Sequence, residues 1–196
     1  PVEHSYSPMM QNFFGEETGV NFAYVPLKVE PDMVEEAVKG AYAMNLAGVN
    51  VTVPYKQQVM PFLKEIDEGA AAIGAVNTLV RVEGGYRGYN TDAPGLYRAM
   101  EEEGISIEGE SCILLGAGGG AKAAAWTLGV HGAKQVYLLN RNEERAQLLA
   151  EEMNGRFGRE VFVPMGLDGW REIPKGSYLC LQTTSVGMAP RTEEVL

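Results

Sequence analysis

The stretch LLGAGGGAKA, residues 114–123, decides the fold of the second half of this 196-residue chain. It follows the apolar run SCILL and opens an alanine-rich segment, which predicts a tight turn between a buried strand and a helix. In such a turn the first glycine permits the bend, the second lets the backbone approach a pyrophosphate, and a small third residue lets the helix pack on the strand. We therefore predict a dinucleotide-binding turn, the alternative being a turn without ligand, made of Gly116, Ala117, Gly118, Gly119, Gly120 and Ala121.

Strands and helices alternate at short intervals around this turn. The runs SCILL, QVYLL, EVFVPM and SYLCLQTT predict strands, and AKAAAWTLGVHG and NEERAQLLAEEMN predict helices between the first three. This alternation is typical of a doubly wound parallel sheet. Residues 95–196 are therefore predicted to form a Rossmann-type domain that binds the nucleotide.

Residues 1–94 predict a separate α/β domain, with the boundary inside a helix near residue 95. Ser7 and Pro8 predict the start of a helix, with Ser7 as its N-cap. The runs FAYVPLKV and GVNVTVP predict strands, and AVNTLVRV and YRGYN flank a hairpin turn. We expect this first domain to bind the substrate and to carry the catalytic residues.

The residues after QVYLL predict which dinucleotide is bound. An NAD enzyme usually has an acidic residue there, to bind the ribose 2′-hydroxyl. This chain instead has Asn140, Arg141 and Asn142, with Arg145 one helical turn later. Two guanidinium groups without a carboxylate fit a 2′-phosphate, which favours NADP(H) over NAD(H). The alternative is that Arg145 belongs to surface ion pairs with neighbouring acidic residues, namely Glu143, Glu144 and Glu151.

Polar residues interrupt the strand predicted from GVNVTVPYK, residues 48–56. Asn50 and Thr52 lie on one face of a strand that we expect to be buried in a parallel sheet, where apolar side chains dominate. Buried amides and hydroxyls need hydrogen-bond partners, and a substrate with several hydroxyl groups would supply them. The alternative is that both side chains bond to neighbouring loops.

Lys56, directly after this strand, is the predicted proton donor. A lysine beside a cleft and a carboxylate can act as a general acid, and Asp92 is the expected partner unless it is only a helix N-cap. Asn77 is another amide within an apolar run. Ser5 and Ser7 at a helix N-terminus favour a carboxylate ligand, although Ser7 could simply cap the helix.

Composition limits the partners and the compartment. The net charge of −10 argues against a nucleic acid or an anionic membrane as the main partner. Cys112 and Cys180 lie in apolar runs and predict buried free thiols of a reducing compartment. No apolar run approaches the roughly 18 residues of a membrane span, and no signal peptide is evident. We expect a cytoplasmic monomer or homodimer that acts on a small molecule without a metal.

The motifs together resemble the shikimate dehydrogenases of the shikimate/quinate dehydrogenase family. Seven stretches occur in the order seen in that family: HSYSP, GVNVTVPYK, IGAVNT, GYNTDAPG, GAGGGAKA, NRNEER and TTSVGMAP. The resemblance implies the reversible NADPH-dependent reduction of 3-dehydroshikimate to shikimate, a step of chorismate and aromatic amino-acid biosynthesis. The alternatives are a quinate/shikimate dehydrogenase with relaxed substrate or NAD use, and a catalytically silent sensor of nucleotide or shikimate.

The same resemblance implies roles for individual residues. Lys56 would be the general acid and base, and Asp92 would orient it. The substrate carboxylate and hydroxyl groups would be bound by Ser5, Ser7, Asn50, Thr52, Asn77 and Asp92. The loop beside the nicotinamide would contribute Thr183, Ser185, Gly187 and Met188.

The chain departs from the family pattern in two places. Asn142 stands where threonine is usual, and an asparagine can still bond a phosphate. Family members also continue for several dozen residues and return a helical segment, with a substrate-binding glutamine, to the first domain. That segment has no counterpart in this sequence, and we expect it to exist elsewhere in the protein.

Overall fold

The computed structural model of the chain describes residue 2, residues 5–188 and residues 192, 193 and 195. Two four-stranded sheets occur within these residues, one in each half of the chain. Helices accompany both sheets, so the predicted α/β fold is confirmed. No helix of the described part is both long and apolar enough to cross a membrane.

The first sheet belongs to the N-terminal half. Its strands run in the order β1-β3-β4-β2, and only the β2–β4 pair is parallel. The helices and strands of this half are α1 (Ser7–Thr18), α2 (Val34–Ala43), β1 (Gly48–Asn50), β2 (Glu65–Ile66), α3 (Glu68–Ile73), β3 (Thr78–Val82) and β4 (Gly85–Tyr89). The β3–β4 hairpin is the one predicted from the sequence, and Gly84 in its turn has a φ of 80° that favours glycine.

The second sheet is parallel throughout. Its elements are α4 (Asp92–Glu102), β5 (Ser111–Leu115), α5 (Gly119–Val130), β6 (Gln135–Leu139), α6 (Glu143–Phe157), β7 (Phe162–Met165) and β8 (Leu179–Gln182). The spatial order β7-β6-β5-β8 places the third, second, first and fourth strands side by side, as in a doubly wound nucleotide-binding sheet. The order therefore reverses between β5 and β8, where ligands of such sheets bind at the carboxyl ends of the strands.

The core of the second half is built on the β5–turn–α5 unit. Cys112 and Leu114 of β5 are fully buried, and they belong to one apolar cluster with Ala121 and Leu128 of α5. The small side chain of Ala121 is fully buried, as the predicted turn requires. Burial, together with the negative charge of Glu110, raises the pKa of the Cys112 thiol to about 11. Cys180 of β8 is exposed, so the prediction that both thiols are buried was wrong for Cys180.

Helix α4 joins the two halves and packs on α5. Ala93, near its start, clusters with Ile73, Ala75 and Ala123, whereas Met100 near its end belongs to the core of the second half. The hydroxyl of Thr127 on α5 donates to the Ala93 carbonyl at 3.3 Å. The domain boundary near residue 95 stays a prediction.

Two predicted strands differ from the structure. FAYVPLKV forms no strand, since side chains rather than a neighbouring strand satisfy its backbone: Asn12 bonds both backbone groups of Tyr24, and the Tyr55 hydroxyl donates to the Val29 carbonyl. GVNVTVP was predicted as a buried parallel strand, and this was wrong. Only Gly48–Asn50 is a strand, and it lies at the sheet edge, antiparallel to its one neighbour β3.

Candidate active site

Lys56 and Asp92, which are 36 positions apart in sequence, are in direct contact. The Lys56 Nζ lies 2.6 Å from the Asp92 Oδ2, and their side chains are 16% and 32% exposed. The carbonyl of Lys56 accepts a hydrogen bond from the buried Val76 N–H at 2.8 Å, which fixes the lysine backbone beside β3. A half-buried ammonium–carboxylate pair with one open side can hold a proton ready for a bound substrate.

Asp92 is free to serve this pair because another residue caps its helix. The Asn90 Oδ1 accepts from the backbone N–H groups of Asp92 and Ala93 at 3.0 and 3.2 Å. Thr91 occupies the N-cap position and Asp92 is the first residue of the helix, so the alternative that Asp92 is the N-cap was wrong. Its position in the first turn also places the carboxylate at the positive end of the helix dipole, which stabilises the charge.

Asn77 holds the second oxygen of Asp92. The buried Asn77 Nδ2 donates to the Asp92 Oδ1 at 2.8 Å and to the Thr91 Oγ1 at 2.9 Å. Its Oδ1 accepts from the Thr91 N–H at 2.9 Å and from the Thr78 hydroxyl at 3.0 Å. Both amide hydrogens are thus engaged within the protein, and the contact of Asn77 with a substrate stays a prediction.

Asn50 and Thr52 are exposed, and Asn50 adjoins the hydrogen-bonded residues around Asn77 through Thr78. The Asn50 Oδ1 accepts from the Tyr24 hydroxyl at 3.1 Å, and its Nδ2 donates weakly to the Thr78 Oγ1 at 3.4 Å. Thr52 lies beyond β1, and its hydroxyl has no hydrogen bond to another described residue. The side chains of Asn50 and Thr52 are therefore accessible to a ligand and do not lie in a buried strand.

Ser5 and Ser7 lie at the start of α1. The Ser5 Oγ accepts from the Ser7 N–H at 3.2 Å, and Tyr6 occupies the N-cap position. The prediction that Ser7 caps the helix was wrong, since Ser7 is already its first residue. Among the described residues, no hydrogen bond joins either serine to the Lys56–Asp92 pair.

The glycine turn has the geometry that a dinucleotide requires. Gly116 has a φ of 113°, and a Cβ there would lie 2.6 Å from the Thr183 Oγ1. A Cβ at Gly118 would meet nothing within 4 Å, so the backbone of this exposed residue is open to a ligand. Helix α5 begins at the next residue, Gly119, and directs its first N–H groups toward the turn. These residues fit a bound pyrophosphate.

The loop that follows β8 adjoins this turn. The Thr183 hydroxyl donates to the Leu115 carbonyl at 2.6 Å, which fixes the loop against the end of β5. The carbonyl of Ser185 accepts from the Met188 N–H at 3.2 Å. Gly187 has a φ of 79°, and the apolar side chain of Met188 is 62% exposed. The contact of either residue with a nicotinamide stays a prediction.

Of the predicted 2′-phosphate residues that follow β6, the two asparagines are hydrogen-bonded within the protein and the two arginines are open to an anion. Asn142 caps α6 by accepting from the Arg145 N–H at 3.1 Å, and the Asn140 Nδ2 donates to the Asn142 carbonyl at 2.7 Å. Arg141 and Arg145 are exposed and form no ion pair with any described residue. Glu151, a proposed partner of Arg145, instead accepts from Gln147.

Arg141 also lines an open pocket of about 540 Å³ at the carboxyl end of β7. Met165 and Leu167 contribute apolar surface, and Glu143 and Asp168 contribute carboxylates. Met165, Leu167 and Asp168 were not predicted as site residues. The sequence did contain a signal for this pocket. EVFVPM predicts a strand whose carboxyl end lies beside that of QVYLL in a parallel sheet, and ligands bind at such ends.

Lys122, the second residue after the last glycine of the turn, forms an ion pair with Glu152. Its Nζ lies 2.6 Å from the Glu152 Oε2, and Arg156 lies 3.0 Å from the other carboxylate oxygen. Burial alone would raise the pKa of Glu152, but hydrogen bonds and charge from Lys122 and Arg156 outweigh it and lower that pKa. A Cβ at Gly74 would lie 2.9 Å from both Lys122 and Glu152, so the end of α3 packs closely against this ion pair between α5 and α6.

Comparison with known proteins gives the family. Residues 1–79 match the shikimate dehydrogenase substrate binding domain, and residues 99–161 match the shikimate / quinate 5-dehydrogenase family. The shikimate dehydrogenase (NADP(+)) of Desulforamulus reducens is 44% identical over 199 residues, covering 100% of this chain and 68% of that protein. The enzyme of the same name from Methanothermobacter thermautotrophicus is 43% identical, covering 99% and 68%.

A solved structure agrees in fold. The shikimate 5-dehydrogenase of Thermus thermophilus, in complex with NADP(H) and shikimate, has a TM-score of 0.79 and 37% identity, covering 96% of this chain and 67% of that one. The chain thus spans about two thirds of the length of the relatives it matches. Both the sequence and the fold place this chain in the shikimate dehydrogenase family.

Proposed function

We propose that the protein catalyses the reversible NADPH-dependent reduction of 3-dehydroshikimate to shikimate, a cytoplasmic step of aromatic amino-acid biosynthesis. The observation that carries this proposal is the contact of Lys56 with Asp92 at 2.6 Å, in a chain of this family. A ketone reduction needs a positioned hydride donor and one proton donor, and these residues provide the second.

Bound NADPH supplies the hydride. In the direction of reduction, the Lys56 ammonium donates a proton to the ketone oxygen while the carbonyl carbon gains the hydride, and the alcohol forms. In the reverse direction the neutral amine takes the hydroxyl proton. Asp92 compensates the lysine charge and orients the amine, and Asn77 holds the carboxylate in place.

The remaining contacts are assigned by position. Ser5 and Ser7 would bind the substrate carboxylate, and Asn50 and Thr52 its hydroxyl groups. Asn50 supports this role because it is exposed and one of its bonds, to Thr78, is long at 3.4 Å. A substrate hydroxyl could therefore replace a weak contact. We assign residues 1–94 to the substrate domain and residues 95–196 to the nucleotide domain.

Arg141 and Arg145 would bind the 2′-phosphate that distinguishes NADP from NAD. Their freedom from ion pairs with described residues supports this assignment, because a guanidinium already paired with a carboxylate binds a phosphate less well. The net charge of −10 argues against a nucleic acid as a partner, and we expect a monomer or homodimer.

The test is oxidation of shikimate by the full-length protein, followed at 340 nm with NADP or NAD. We expect turnover with NADP, and a fall in kcat of about 10²–10⁴-fold for Lys56→Ala, the usual range for loss of a general acid–base group. Lys39→Ala is the matched control, because Lys39 is an exposed lysine of α2 that pairs with Glu35. The double variant Arg141→Ala, Arg145→Ala should raise the KM for NADP and leave that for NAD nearly unchanged.

A folded protein that binds NADP but turns over neither shikimate nor quinate would contradict the proposal. It would point instead to a silent sensor. Turnover that prefers quinate or NAD would favour the relaxed dehydrogenase.

A further inference from the structure

The hydrocarbon stem of Lys56 crosses directly over one glycine of the dinucleotide turn. A Cβ at Gly119 would lie 3.1 Å from the Lys56 Cβ, 3.3 Å from its Cδ and 3.6 Å from its Cγ. The two neighbouring glycines have no such contact, since a Cβ at Gly118 would meet nothing within 4 Å and one at Gly120 would lie 3.9 Å from Thr183. The close approach is therefore specific to Gly119 and Lys56.

Lys56 has little freedom to retreat from an added methyl group. Its carbonyl is bonded to the Val76 N–H at 2.8 Å, and its Nζ is bonded to Asp92 at 2.6 Å. Asp92 is held in turn by Asn77 at 2.8 Å. Because the Cβ of a lysine moves only with its backbone, relief of a 3.1 Å contact requires a shift of the anchored Lys56 backbone or of the glycine turn, and either shift changes how the lysine lies against the turn.

We propose that Gly119 is a positioning residue for the proton donor, in addition to its place in the cofactor turn. The absence of a side chain at Gly119 lets the Lys56 stem pass between the turn and Asp92. The segment that would hold the pyrophosphate thus also sets the position of the catalytic amine. This inference rests on the proposed function, because it takes Lys56 to be the proton donor.

Gly119→Ala is the decisive variant, and it should fold. Gly119 is the first residue of α5 and has no positive φ, so alanine suits its backbone. The matched control is Gly155→Ala, at an exposed glycine of α6 where a Cβ would meet nothing within 4 Å. A 3.1 Å contact displaces its neighbour by a few tenths of an ångström. Because a misplacement of about 1 Å costs up to about 100-fold, we expect the Gly119 variant to lose about 3–10-fold in kcat.

Three measurements distinguish displacement of the Lys56 side chain from damage to the cofactor site. The Kd for NADP without substrate, from calorimetry, should change less than about 3-fold, whereas the solvent deuterium isotope effect on kcat should rise because proton transfer has become slower. In a Lys56→Ala background, which keeps the Cβ contact but has no amine to displace, Gly119→Ala should lower the residual rate by less than about 2-fold.

The inference is overturned by a Gly119→Ala enzyme with wild-type kcat, or by a rate loss that is equally large in the Lys56→Ala background. Crystal structures of the wild type and Gly119→Ala decide it without reference to turnover. A Lys56–Asp92 distance that lengthens by a few tenths of an ångström from the present 2.6 Å supports the inference, and an unchanged distance overturns it. An inactive wild type would contradict the proposed function alone.

Discussion

The variant Asp92→Asn tests whether the site depends on the pattern of donors and acceptors around one carboxylate. Asp92 accepts from Lys56 at 2.6 Å and from Asn77 at 2.8 Å. An asparagine offers one acceptor and one donor. Whichever way it turns, an NH₂ group meets either the ammonium or the amide NH₂ of Asn77. Asn77 cannot turn over to relieve this, because its oxygen accepts from the Thr91 N–H at 2.9 Å.

The expected loss follows from these two contacts. A hydrogen bond to a charged group contributes about 1.5–3 kcal/mol, and the partial exposure of Lys56 and Asp92 favours the lower end of this range. The opposed donor of Asn77 adds about 1 kcal/mol. We therefore expect Asp92→Asn to lower the free energy of unfolding by about 2–3 kcal/mol at pH 7. The kcat should fall by about 100-fold, since the amine is no longer held in place.

The assay is urea unfolding at 25 °C, with kcat measured on the same samples. The double variant Asn77→Asp, Asp92→Asn restores an acceptor opposite a donor at the 2.8 Å contact and leaves an acceptor toward Lys56. It should therefore be at least about 1 kcal/mol more stable than the sum of the single losses predicts. Strictly additive losses, or an Asp92→Asn protein as stable as the wild type, would refute the reasoning.

Two further predictions concern groups outside the Lys56–Asp92 pair. Glu152→Gln should lower the free energy of unfolding by about 1–2 kcal/mol at pH 7, measured by urea unfolding from pH 3 to 8. Because Lys122 and Arg156 lower the folded pKa of Glu152, its stabilisation is complete above the unfolded value near 4.3 and disappears as the pH falls through the folded pKa. Alkylation with iodoacetamide at pH 8, followed by mass spectrometry, should label Cys180 and spare Cys112, whose raised pKa leaves roughly one thiolate in a thousand.

Each of these predictions has an internal control. Glu151→Gln changes an exposed carboxylate on the same helix, where Gln147 is its hydrogen-bond partner, and should alter stability by less than about 0.5 kcal/mol at any pH. A Glu152→Gln deficit that persists undiminished at pH 3 would contradict the charge argument. Equal labelling of both thiols in the folded protein would contradict the burial of Cys112.

The nucleotide half of the fold could be predicted because its signals are local. The turn that begins at Gly116 lies between a strand and a helix that are adjacent in sequence. Each of the four runs predicted as strands in this half contains a strand. Doubly wound sheets have a usual strand order, and the observed order β7-β6-β5-β8 agrees with it. No distant partner had to be known for this part.

The first half was harder because its strands depend on distant partners. An apolar run becomes a strand only where another strand pairs with it, and FAYVPLKV is bonded by the side chains of Asn12 and Tyr55 instead. β1 is short and exposed for a related reason, because β3 pairs with it on one side only. Sequence periodicity does not reveal which edge of a sheet is covered.

In the candidate site, the chemistry could be predicted from the sequence and part of the geometry could not. A lysine that donates a proton is expected to have a carboxylate beside it. This chemical requirement was enough to predict the contact of Lys56 with Asp92. The helix cap by Asn90 and the bonds of Thr78 and Thr91 to Asn77 were not anticipated. The polar run in GYNTDAPG carried a signal, but a polar run before a helix fits capping and catalysis equally well.

The hydrogen bonds of the site form a chain whose two ends differ in strength. From Lys56 through Asp92 to Asn77 the contacts are 2.6 and 2.8 Å long and half-buried, and both amide hydrogens of Asn77 are engaged. From Thr78 to Asn50 the contact is 3.4 Å long and exposed. A hydroxyl that bound Asn77 would have to displace a charged acceptor, whereas one that bound Asn50 would displace a weak contact. We therefore expect the substrate to exchange hydrogen bonds at the Asn50 end, while the Lys56 end stays fixed and keeps the proton donor in position.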